Sequence, residues 1–139
     1  MKNFRAIFFL MLLLTGSLSH AESVVTNSIV SENSVSRQFL LSVFAMRVHQ
    51  WSDGRHISVF VLPDDHPDHV QFVKSSLHIF PYQLRNIWDR AVFSGSGQSP
   101  YVVKSEEEML EKLRTVEGAV GYINRDLKGE QGVKQLEVY

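Results

Sequence analysis

Ile57-Ser58-Val59-Phe60-Val61-Leu62 decides the architecture. Apart from Ser58 the run is apolar throughout instead of alternating. A strand that shows one face to water alternates, whereas a strand covered on both faces does not. The run therefore predicts an inner strand of a sheet with helices on its faces. Pro63 ends it, because proline cannot donate to a ladder. Asp53-Gly54, just before it, is a turn signal.

Helical patterns lie on either side. Ser36 is placed to cap a helix in which Phe39, Leu40, Val43, Phe44 and Met46 fall mostly on one face. Pro67 suits the first turn of a second helix, where its missing N–H is an unpaired donor anyway. Val70, Val73 and Leu77 give that helix its inner face. Pro81 opens a third, with Leu84, Ile87, Trp88, Ala91 and Val92 as the apolar stripe. Phe93 to Pro100 carries two Gly and a Pro among polar residues and reads as a loop. Ser105 and Glu108 form a capping box for a fourth helix, which turns Met109, Leu110, Leu113 and Val116 inward.

Strands complete the pattern. Val24 to Val30 is β-rich and opens the domain, and Ser31 to Ser34 reads as a polar loop. Ala119 to Ile123 is a short buried strand, and Leu136 and Val138 alternate in a last one. The order β-α-β-α-α-α-β-β predicts an α/β fold: a single three-layer lobe with a mixed β-sheet flanked by helices.

The chain has 139 residues. Lys2 and Arg5 precede an apolar run from Ala6 to Leu14, too short to span a bilayer. Thr15-Gly16-Ser17 breaks that run, and Ser19-His20-Ala21 supplies the small residues of a cleavage site. This is the three-part pattern of a secretory signal. We expect residues 1–21 to be removed and residues 22–139 to form one domain outside the cytoplasm. No Cys follows the apolar run, so a lipid anchor is not expected, and no later stretch is long enough to enter a membrane. Lys2 and Arg5 are the only charged residues before Glu22, so the remainder carries 12 basic and 15 acidic residues, a net charge of −3. A mildly acidic domain gives no footprint for nucleic acid. The absence of Cys excludes disulfides, thiolate chemistry and thiolate metal sites. No cofactor-binding motif is present.

Four segments carry a resemblance. They are Ser36 to Trp51; Asp53-Gly54-Arg55 with the strand Ile57 to Leu62; Phe72 in the following helix; and Glu117-Gly118-Ala119-Val120-Gly121-Tyr122. In this order they resemble the second lobe of the type II periplasmic solute-binding proteins, in particular the phosphate-binding proteins of ABC transporters. The last segment is the most specific, since its glycines suit a strand approached closely by another backbone. The resemblance implies a periplasmic-binding-protein-like fold, a periplasmic location and a binding function instead of an enzymatic one. It also marks two departures. Family members have two lobes, and this chain has room for one. Their second lobe grips phosphate with an arginine and a serine-glycine-threonine run after the strand. Here that place reads Leu62-Pro63-Asp64-Asp65-His66-Pro67-Asp68-His69, whose three carboxylates would repel a phosphate.

Two clusters are candidate sites. In Ser94-Gly95-Ser96-Gly97, glycines let backbone N–H groups turn inward and serines add donors, as in an anion nest. The same loop also reads as a plain connector. His66, Asp68 and His69 offer imidazole and carboxylate, which suit zinc, copper or nickel. The same acids also cap a helix start and stabilise its positive end. His49, His56 and His78 read as surface or interface residues, Trp51 and Trp88 as core. No catalytic constellation stands out. The expected partner is phosphate or another small anion, or else a periplasmic or membrane protein, or a second copy meeting the face that a partner lobe would cover.

Overall fold

The computed structural model describes residues 22–139. The expected signal sequence lies outside the described residues. The chain runs β1 (Ser23–Asn27), β2 (Ser34–Val35), α1 (Arg37–Phe44), β3 (Ser58–Val61), α2 (Pro67–Phe72), a π-helical turn (Val73–Leu77), α3 (Pro81–Phe93), β4 (Tyr101–Val102), α4 (Glu106–Thr115), β5 (Ala119–Ile123), β6 (Val133–Gln135) and β7 (Glu137–Val138). Five strands form a mixed sheet in the order β4-β3-β5-β1-β6. β3 runs parallel to β4 and β5, while β1 is antiparallel to β5 and β6. A small second sheet pairs β2 with β7.

The apolar run is the inner strand its composition predicts. Val59, Phe60, Val61 and Leu62 are all buried, and β3 has a neighbour on each side. β5 alternates between two helical layers. At Gly121 the nearest neighbours are Met109 and Leu113 of α4. Tyr122, one residue on, turns to the opposite face, where its ring stacks on Phe72 at 4.1 Å and lies near Phe44 of α1. Helices thus cover both faces, and the three-layer α/β lobe expected from the sequence is the fold observed. Trp51 and Trp88 are core, as expected. Their indole N–H groups donate to Gly118 O and Phe44 O, which removes the cost of burying a donor. Among the described residues the apolar core runs from Val24 to Val138.

Several elements differ from expectation. β1 stops at Asn27, short of Val30: Asn27 still pairs with Val133, and beyond it the chain turns, the Val30 N–H donating to Asn27 O at 3.1 Å while the Asn27 side chain ties the turn down. Its Oδ1 accepts the Ile29 N–H, and its Nδ2 donates to the carbonyls of Leu113 and Arg114 at the end of α4. Ser34 belongs to β2, not to a loop. β4 follows the Gly/Ser loop and was not expected; two exposed residues carry no periodicity. Leu136 and Val138 do not share one strand: Leu136 is buried at the break between β6 and β7. The α3 stripe is buried only at Leu84 and Trp88, and Val92 is 50% exposed.

Candidate functional site

β3 and β5 end at the same edge of the sheet, where β1 begins and where α2 and α4 start. In open α/β sheets this carboxyl end is where ligands bind. Here each helix start at the mouth is filled by its own chain. His66 caps α2, its Nδ1 accepting the Asp68 N–H at 3.1 Å. Ser105 caps α4 by accepting the Glu108 N–H at 3.2 Å. Glu108 reaches back to the N–H of Lys104 at 2.8 Å, one residue before the position expected of a capping box. Glu106 accepts the N–H of Asn124, and Asn124 donates to Asp68.

Asp64 is held by Arg85 of α3 through two bonds, Nε to Oδ2 at 2.7 Å and Nη2 to Oδ1 at 2.9 Å. These bonds hold the Asp64 carboxyl below the usual carboxylate range. Arg85 was not singled out in the sequence. It sits 21 residues from its partner on the polar side of a helix, and no local pattern links the two.

Glu22 stands at the head of β1 with both carboxyl oxygens shielded from water and lacking a hydrogen-bond partner among the described residues. Burial, then the neighbouring charges of Asp68 and Glu106, push its pKa up to about 8. The folded state therefore keeps a proton that an unfolded chain releases near pH 4.5. Between those values the native state binds more protons, so stability falls as pH rises from 4.5 towards 8. Glu22→Gln should remove that slope. The group is partly exposed, so the expected gain at pH 8 is discounted to about 1 kcal/mol, or ~4 °C in Tm. No gain is expected at pH 4. Melting curves at the two pH values, on protein in which Glu22 is preceded by at least one residue, test this; an equal gain at both would remove the titration from the account.

The Gly/Ser loop lies at the other end of the sheet, between the end of α3 and the start of β4. Its backbone N–H groups do not point outward as a nest requires. Those of Ser94, Gly95, Ser96 and Gly97 donate to the carbonyls of Arg90, Val92, Ala91 and Ala91, closing the end of α3. Gly95 takes the left-handed φ of 72° that such a cap requires. What the loop does offer outward is two hydroxyls, Ser94 and Ser96, 2.8 Å apart. They line an open groove of about 410 Å³ with Met46 and Arg47, which follow α1, and with Ile87 and Arg90 of α3.

The His66, Asp68 and His69 side chains do not converge. His69 is buried, with Nδ1 on the Tyr122 hydroxyl, and His66 is occupied as a cap. Among the described residues no group of three His, Asp or Glu side chains is arranged to hold a metal ion. His49, His56 and His78 are exposed, as expected. No described helix is long and apolar enough to cross a membrane.

No family model and no curated protein matches the chain. Solved structures do. An ABC-type phosphate transport receptor from Vibrio cholerae superposes with a TM-score of 0.61 at 14% identity, over 85% of this chain and 46% of its own. PstS from Borrelia burgdorferi gives 0.64 at 15% identity, over 85% and 47%. The chain spans less than half the length of each and has the fold of one lobe, as the sequence resemblance implied. At these identities the likeness shows the fold, and function rests on the residues.

Proposed function

We propose that this is an exported, non-enzymatic, solute-binding-like lobe that has given up the anion grip at its mouth and works as an accessory module, meeting a periplasmic or membrane protein with that face. The observation that carries the reading is the self-filled mouth. An anion at a helix start needs free N–H groups and a positive field. Here His66, Ser105 and Glu106 accept the nearby N–H groups, and carboxylates ring the edge. Among the described residues the arginine that reaches this loop is Arg85, and it is spent on Asp64. The signal pattern read in residues 1–21 supports the location, and the fold likeness to phosphate receptors supports the class.

Calorimetric titration of residues 22–139 with inorganic phosphate, after dialysis to remove bound anion, tests the proposal. No saturable binding tighter than ~1 mM is expected, which corresponds to less than about 4 kcal/mol of binding free energy. Micromolar binding that is weakened by substitutions at the mouth would overturn it.

A further inference from the structure

The groove at the far end of the sheet differs from the mouth in charge and in lining. Arg47 and Arg90 both face solvent there, and among the described residues neither has a carboxylate within 4.0 Å. Among the described residues Arg55, Arg85, Arg114 and Arg125 each face an acid, and Arg37, which has none either, does not line this groove. The hydroxyls of Ser94 and Ser96 stand on the same groove, and its remaining lining includes Met46, Ile87 and Ala91. Two helices end here, so their negative ends disfavour an anion. That effect is reduced at α3, whose last carbonyls are covered by the loop amides. Any anion must then be gripped by the guanidinium groups, which suit planar or tetrahedral oxyanions with two parallel bonds.

Met46 adds an independent observation. It takes a left-handed φ of 61°, at the position after the α1 cap where glycine is the ordinary choice. The strain in such a residue is retained only where the surroundings or the function require the side chain. Met46 is partly buried against the core and exposes the rest of its thioether to the groove. Glycine would remove the strain and leave the groove without that surface. The volume of about 410 Å³ lies within the range of small-ligand pockets.

We propose that this groove binds a small organic anion, its oxyanion head between Arg47 and Arg90 with the Ser94 and Ser96 hydroxyls, and its apolar body against Met46, Ile87 and Ala91. The site lies at the opposite end of the sheet from the mouth and is independent of the mouth's loss of an anion grip.

Residues 22–139 would be titrated with phenyl phosphate and with inorganic phosphate while amide shifts are followed by NMR. Phenyl phosphate is expected to bind at least about tenfold more tightly, since a buried ring adds more than one 1.4 kcal/mol step. The shifts should centre on Ser94, Ser96 and Gly97. Arg47→Ala with Arg90→Ala should weaken both ligands about tenfold or more. Met46→Gly should lower the preference for phenyl phosphate and leave inorganic phosphate unchanged. Asp65→Ala, at the mouth, should change neither. All three variants sit at surface or partly exposed positions, and an unchanged amide spectrum elsewhere confirms the fold. Equal affinity for the two ligands, shifts centred at the mouth, or full binding by the double arginine variant would each overturn the proposal.

Discussion

Gly118→Ala is expected to cost at least about 4 kcal/mol, close to the whole stability of a small domain. Three effects add. Gly118 has φ 75°, a left-handed conformation that costs a residue with a Cβ about 1–2 kcal/mol. An added Cβ would lie 2.0 Å from the carbonyl oxygen of His56, which is backbone and cannot rotate away. Relief requires the segment before β3 to part from β5. That movement strains two bonds to the Gly118 carbonyl, from Trp51 Nε1 at 3.0 Å and from Ser58 N at 3.2 Å, each worth about 1 kcal/mol. Gly54→Ala is the control. Its φ is 86° and nothing lies within 4 Å of the added carbon, so it carries the conformational cost alone, about 1 kcal/mol. Urea unfolding followed by tryptophan fluorescence reads both variants. If Gly118→Ala costs no more than Gly54→Ala, the close approach of the two backbones is not rigid, and the reading of the Glu117-to-Tyr122 segment as a packing motif fails.

The same segment shows why the fold was legible in the sequence. Gly118 and Gly121 are forced by neighbours that come too close for any side chain, so their spacing marks a packing constraint in the sequence itself. The apolar run at β3 is legible for a related reason: burial on both faces leaves no position free to be polar. What sequence could not show are features made by chain crossings. β2 and β4 have two residues each and exist because a partner strand lies alongside. The Asp64–Arg85 clamp joins the loop after β3 to α3 across 21 residues. The Gly/Ser loop was legible as a special segment, yet the direction of its N–H groups depends on α3 ending directly before it. Its sequence is the same for a nest and for a helix cap. His69 was legible as a titratable group near a helix start, but its burial depends on Tyr122, 53 residues away.

Tyr122→Phe should cost about 2–4 kcal/mol, because one hydroxyl serves two buried groups. It accepts the Leu62 N–H at 2.8 Å and meets Nδ1 of His69. Among the described residues the hydroxyl proton has no acceptor besides Nδ1, so the arrangement that leaves no donor unpaired has the hydroxyl donating to a neutral His69 ring with its proton on Nε2. Burial holds the phenol protonated, well above its usual range. Removing the hydroxyl leaves a donor and an acceptor unpaired in the core, at about 1–3 kcal/mol each. The ring itself stays, stacked on Phe72, so little packing is lost. The pH dependence separates this account from a packing effect. Burial lowers the His69 pKa, while the ring takes up a proton near pH 6.5 once unfolded. The unfolded state then binds more protons below that value, so wild-type stability is full above pH 6.5 and declines as pH falls towards the folded pKa. In Tyr122→Phe the neutral ring has lost its donor, so the folded pKa should move back towards 6.5 and the acid slope should flatten. Ring-proton NMR titration of His69 with denaturation at pH 7.5 and 5.5 measures both. A cost below about 1 kcal/mol with an unchanged acid slope would mean that neither bond contributes, and that Tyr122 acts only through its ring.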